Sequence, residues 1–199
     1  MAPSPIVLGP PSGIASALAA DLDASLAVAE HPLPANVTGV VIVAEPPPAR
    51  AEVTTLRGDD WHRLVDAPMW RTLTALQRAR SALLPAGGRI VVVVPTIGMS
   101  GATGLVGYTT ALEGIRAMAK SAARQWASAG IGVNLVAVPL SAFSGEDDAA
   151  AGHLTVPAVP DATDLVHTAA ESIRFLLRTD IAHLAGETIV ADGGSVMLP

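Results

Sequence analysis

The side chains in this chain best suited to proton transfer stand apart from the one that would assist them. Its single tyrosine, Tyr108, and its single lysine, Lys120, lie twelve positions apart in one helical stretch. An unassisted phenol titrates near about 10, so it acts as acid or base at neutral pH only when a neighbouring cation stabilises the phenolate. With a rise of about 1.5 Å per residue, a lysine four positions on would stand about 6 Å along the axis, and one twelve positions on about 18 Å. The fourth position after Tyr108 is Leu112, so the helix supplies no local cation. The five histidines, His31, His62, His153, His167 and His183, form no His-x-x-x-His or Glu-flanked pair, and no metal site is expected of them. Glu146, Asp147 and Asp148 sit in an Ala-rich stretch that reads as a solvated loop tip.

The elements that would position these residues alternate. Pro5 to Gly9 reads as a short strand, and Ile14, Leu18 and Leu22 give a helical stripe over Gly13 to Leu22. A possible second strand runs from Ser25 to Glu30. Val37 to Val43 and Arg89 to Val94 are unbroken runs rich in β-branched residues, the pattern of strands covered on both faces in a parallel sheet. Between them, Trp61, Leu64, Val65, Leu73, Leu76 and Leu83 fit helical segments, with a break expected at Pro68, which lacks an amide proton. The Tyr108 helix carries an apolar stripe of Leu112, Ile115, Ala119, Ala122 and Trp126 and stops at Gly130. Gly132 to Val138 resumes a strand. Ser141 to Pro160 reads as a loop, Asp161 or Thr163 as the cap of a helix through Leu165, Ile173 and Leu176, and Glu187 to Ala191 as the last strand. The order predicts an α/β, doubly wound parallel sheet in a single domain over 1–199.

Three segments, LGPPSGIA from Leu8, GGRIVVVVP through GVNLVAV, and HLAGETIVADGG ending at Gly194, resemble the short-chain dehydrogenase/reductase family. The resemblance implies a Rossmann-like fold and hydride transfer by four residues: a Tyr acid/base, a Lys that lowers its pKa, a Ser that polarises the carbonyl and an Asn that holds a water relay. Tyr108 matches the Tyr. The Lys position is Leu112, the Ser position Pro95 and the Asn position Pro68. Thr96 adjoins Pro95, but successive strand residues point to opposite faces. The only asparagines are Asn36 and Asn134. Halide-eliminating relatives use Arg in place of Lys, and Arg116 is eight residues past Tyr108, again too far.

The cofactor side of the resemblance is altered as well. Gly9-Pro10-Pro11-Ser12-Gly13-Ile14-Ala15 keeps two of the three glycines of the family's phosphate loop, and the two prolines remove amide donors. Glu30 falls where an acidic residue would meet an adenosine ribose. Only Pro32 to Asn36 separate the second strand from the run at Val37, whereas a parallel crossover takes about a dozen residues or more. The family's helix, strand and helix are therefore expected to be missing, leaving the sheet truncated in its second/third strand region. The family's Asn-Asn-Ala-Gly is here Ala44-Glu45-Pro46-Pro47, and its Pro-Gly is Val138-Pro139. Gly9, Gly13 and Glu30 are thus vestigial, and no cofactor is expected.

A net charge of −6 with no run of Lys or Arg argues against nucleic acid. No apolar run approaches a membrane span, although half the residues are hydrophobic and mean hydropathy is +0.46. The opening MAPSPIVLG has no basic segment before an apolar core and there is no cysteine, so a soluble, cytoplasmic protein is expected. The leading expectation is a non-catalytic member of the family that supports an active paralogue, or itself, through an interface of Leu112, Ile115, Ala119 and Trp126. The rival is an enzyme that uses Tyr108, either a divergent NAD(P)-dependent oxidoreductase or a cofactor-free lyase or isomerase.

Overall fold

Valine and isoleucine runs that no solvent face interrupts build the centre of the molecule. The computed structural model describes residues 5–11, 13–27, 33–34, 37–84, 86–144, 157–159 and 164–196. Among them, β1 (Ile6–Leu8), β2 (Ser25–Ala27), β3 (Gly39–Val43), β4 (Gly88–Pro95), β5 (Ile131–Val138) and β6 (Thr188–Val190) form one sheet in the order β2-β1-β3-β4-β5-β6. Every pairing is parallel. All residues of β3 and β4 are buried, as strands require when helices cover both faces.

Helices α1 (Gly13–Asp21) and α7 (Leu165–Leu176) pack together on one face, and α3 (Ala67–Leu83) and α5 (Val106–Trp126) on the other. The short helices α2 (Gly58–Trp61), α4 (Ile97–Ser100) and α6 (Ser141–Ser144) follow β3, β4 and β5. The break expected at Pro68 is a wide π-type turn over His62–Asp66, after which Pro68 sits in the first turn of α3. The helical run is continuous through this point, and the wide turn is what lets it pass a residue with no N–H to donate.

Ser25–Ala27 is a parallel strand despite its short return connection. β2 pairs with β1 over only three residues. Glu30, His31, Asn36, the acidic cluster Glu146 to Asp148, His153, Asp161 and Thr163 lie outside the described residues. The residue immediately before α7 is Asp164, whose side chain makes no capping bond.

The stripe on α5 needs correction. Leu112, Ile115 and Ala119 are at most 2% exposed within their own chain, because that face seats the helix on its own sheet. They cannot form the expected interface. Trp126 is partly buried beside the core, with the Arg80 guanidinium over its ring. The outward face of α5 carries Thr110, Glu113, Ala117, Lys120, Ser121 and Arg124.

Buried polar side chains hold the far ends of the strands. Asn134 on β5 donates to the Leu184 carbonyl and accepts from the Glu187 amide, tying in the approach to β6. Arg89 on β4 is 8% exposed and donates to the carbonyls of Gly88, Gly130, Arg178 and Thr179. Those of Gly130 and Arg178 lie just beyond the carboxyl ends of α5 and α7, where the helix dipole favours a cation. After β6, the Asp192 carboxylate accepts from the amides of Gly194 and Val196, fixing the Gly-Gly turn.

Candidate functional site

The carboxyl ends of β1, β3, β4 and β5 bring the candidate residues together, the usual position of a site in a parallel sheet. Tyr108 lies in the first turn of α5, 4% exposed. Its hydroxyl donates to the Glu45 carbonyl at 2.7 Å. Glu45 leaves the end of β3 and enters a run of three prolines, which stiffens the backbone that presents this carbonyl. The Glu45 carboxylate pairs with Arg71 of α3. One residue thus ties α5 through its main chain and α3 through its side chain.

Leu112, one turn on from Tyr108, is 1% exposed. A Cβ on Gly98 of α4 would stand 2.9 Å from the Leu112 Cβ, so the glycine is what lets α4 approach α5 at this position. An aliphatic contact occupies the position where the family resemblance places a lysine. Pro95 ends β4 opposite Val138. The Thr96 amide donates to the Val138 carbonyl, and Thr96 turns the chain into α4, itself buried. Pro68 stands near the mouth of a cleft, its carbonyl accepting from the Thr72 hydroxyl at 3.1 Å.

That cleft, about 220 Å³, lies between β1, β3 and α3, lined by Gly9, Pro10, Glu45, Pro68, Arg71 and Thr72 among others. It falls below the roughly 300 to 1,000 Å³ usual for small-molecule sites. On the other side of Pro10, the gap bordered by Ile14, Ala15, Val43, Pro46 and Phe143 is about 20 Å³, room for one water. Phe143 of α6 narrows it. Gly9 is required by closeness, since a Cβ there would come within 3.2 Å of both Val43 and Ala15. Gly13 opens α1 at φ +56°, a conformation that glycine adopts without strain. Gly9 lines the cleft, Gly13 faces the Phe143 carbonyl, and Glu30 lies outside the described residues.

The sequence did not signal Arg71 or Phe143 as members of this site. Arg71 pairs with a residue 26 positions away and Phe143 follows a different strand. The triple proline after Glu45 was the available hint that this backbone is fixed. Among the described residues, no group of three or more His, Cys, Asp or Glu is placed to hold a metal ion, and no helix is long and apolar enough to cross a membrane.

This six-stranded parallel sheet with helices on both faces defines a Rossmann-like α/β protein. A family model described as enoyl-(acyl carrier protein) reductase matches residues 35–196, and the chain belongs to the short-chain dehydrogenase/reductase family. Over 153 residues it is 29% identical to a 3-oxoacyl-[acyl-carrier-protein] reductase of Vibrio harveyi, covering 72% of this chain and 60% of that protein. A Staphylococcus aureus reductase of the same description is 29% identical over 151 residues, covering 71% of this chain and 59% of the relative. The chain thus spans about 60% of the length of the curated relatives it matches. Among solved structures, a protein of Beutenbergia cavernae described as an NAD(P)-dependent gluconate 5-dehydrogenase, with NADP bound at low occupancy, superposes with a TM-score of 0.76 at 19% identity, covering 98% of this chain and 97% of that one. A short-chain dehydrogenase/reductase of Mycobacterium ulcerans superposes at 0.77 with 16% identity, over 96% of this chain and 88% of that one. These likenesses establish the fold.

Proposed function

We propose that this chain is a non-catalytic member of its family, which supports an active dehydrogenase or ketoreductase relative by association. The observation that carries the reading is the Tyr108 hydroxyl committed to the Glu45 carbonyl with Leu112 one turn further on. A phenol whose proton is engaged by a main-chain acceptor, with an aliphatic side chain one turn on at the position the family resemblance gives to a lysine, lacks the lysine arrangement by which such a phenol becomes a base. Pro95 and Pro68 bring no hydroxyl or amide to the same end of the sheet. The narrow gap of about 20 Å³ beside Phe143 and the two prolines after Gly9, which remove two amide donors, support a reading without a cofactor.

Association is supported by the outward side of the helical run 58–83. Trp70 is 68% exposed and Trp61 41%, and large exposed aromatics are favoured anchors of interfaces. The partner proposed is a catalytically complete member of the same family. Co-expression of the two followed by native mass measurement should give a mixed assembly, while the isolated chain should not consume NADPH with an acyl thioester ketone. A second reading, a divergent NAD(P)-dependent oxidoreductase, is favoured by the family membership together with the 220 Å³ cleft beside Gly9. Calorimetric titration separates the two: micromolar NADPH affinity would overturn the non-catalytic reading.

A further inference from the structure

Two hollows adjoin at the ends of β1 and β3, the cleft of about 220 Å³ toward α3 and the gap of about 20 Å³ toward α6, with Pro10, Val43 and Ala44 bordering both. Among the described residues, Phe143 is the one wall of the smaller gap that comes from elsewhere than the β1–α1 turn, α1 and the end of β3. Its side chain is 8% exposed, and its main chain also approaches the turn: a Cβ on Gly13 would stand 3.8 Å from the Phe143 carbonyl oxygen.

The walls differ in what holds them. β1 and β3 are paired within the sheet, and the Ala44 amide donates to the Val93 carbonyl, so that side is fixed. The amides of Ala142, Phe143 and Ser144 and the Ser144 hydroxyl all reach back to the carbonyls of Pro139 and Leu140. Among the described residues, no hydrogen bond joins α6 to α1, β1 or β3, so apolar contact of the Phe143 ring is what seats it. Such a contact parts without leaving a buried donor or acceptor unpaired. We infer that Phe143 is an intramolecular plug on this site: its ring takes space that one end of a nicotinamide dinucleotide would need, and the chain binds that cofactor only when α6 withdraws. This regulation rests on the second functional reading, in which the chain keeps a dinucleotide site. The small gap is then a property of one side chain, while the open cleft on the other side of Pro10 belongs to the sheet and α3.

The chain has no cysteine, so a single introduced thiol reports on the plug without any cofactor. Ile14→Cys places that thiol at the gap, and Ile115→Cys, at a residue 2% exposed on the sheet face of α5, is the control for general loosening. With Phe143 in place, both should react slowly with dithionitrobenzoate. Phe143→Ala should speed the reaction at position 14 by about tenfold or more and leave position 115 unchanged. Calorimetric titration should find NADPH bound about tenfold or more tightly by Phe143→Ala than by the wild type. Where Phe143→Ala does not fold, Phe143→Val is read by the same two measurements. An unchanged rate at position 14, or equal acceleration at position 115, overturns the plug, as does NADPH bound equally well by the wild type and the variant. Selective acceleration at position 14 with no NADPH binding to either protein overturns the inference at its other support: the opened space is then not a dinucleotide site, and the oxidoreductase reading falls with it.

Discussion

Tyr108 and Leu112 define the chemistry at the scale of single residues. Replacing Tyr108 by Phe removes the donor to the Glu45 carbonyl and leaves that acceptor short of a partner in a buried setting. The expected loss is about 1 to 2 kcal/mol, read by urea unfolding, with no change in NADPH consumption relative to the wild-type background. An enzyme depending on this phenol would instead lose turnover. Leu112→Lys restores the residue type found in family members but inserts an ammonium into a site 1% exposed and packed against Gly98. Burial without a partner opposes the charged form. The variant should lose several kcal/mol of stability and gain no carbonyl reductase activity; activity above background would show that the pocket is more open than its geometry implies. The spacing of Tyr108 and Leu112 was legible in the sequence. The hydroxyl's acceptor was not, because a main-chain carbonyl 63 residues away leaves no side-chain signature.

Among the elements, α5 shows how a pattern can be read correctly and assigned to the wrong neighbour. Periodicity identifies the apolar stripe through Leu112, Ile115 and Ala119, but the same stripe suits a partner helix or the chain's own sheet. Burial assigns it to the sheet. Ile115→Glu should therefore destabilise the fold by several kcal/mol, visible as a large fall in the circular-dichroism melting temperature, instead of yielding folded dissociated protein. The joint between α1 and α7 makes a different prediction. Partial withdrawal from water pushes the Asp21 carboxyl up, but hydrogen bonds from His167 and Arg174 outweigh this and hold it below the ordinary carboxylate range. A carboxyl depressed in the folded state contributes stability above its unfolded pKa, and that contribution is lost as pH falls through the folded pKa. Asp21→Asn should reduce neutral-pH stability and flatten the acid limb of the stability profile below about pH 4; an acid limb parallel to the wild type's would contradict the linkage.

At the scale of the whole molecule, the parallel sheet was legible because β3 and the stretch of β4 after Arg89 are unbroken runs rich in β-branched residues, whose double burial no half-exposed sheet would tolerate. The place of β2 was not legible, since a three-residue pairing carries too little periodicity to fix which side of β1 it joins. The topology leaves the outward side of the helical run 58–83 facing solvent, and Trp70 stands there 68% exposed. Because so much of that side chain is already in water, Trp70→Glu should leave the melting temperature nearly unchanged, within about 0.5 kcal/mol of the wild type. In an interface the same change would bury an unpaired carboxylate against apolar surface, at a cost of several kcal/mol, so a dissociation constant should rise by a hundredfold or more. Native mass measurement of the chain co-expressed with a complete family member should show the mixed species with wild-type protein and its loss with Trp70→Glu. Folded Trp70→Glu protein that retains the wild-type assembly mass would place the association on another surface, and absence of a mixed species with the wild type would remove the support for a scaffolding role.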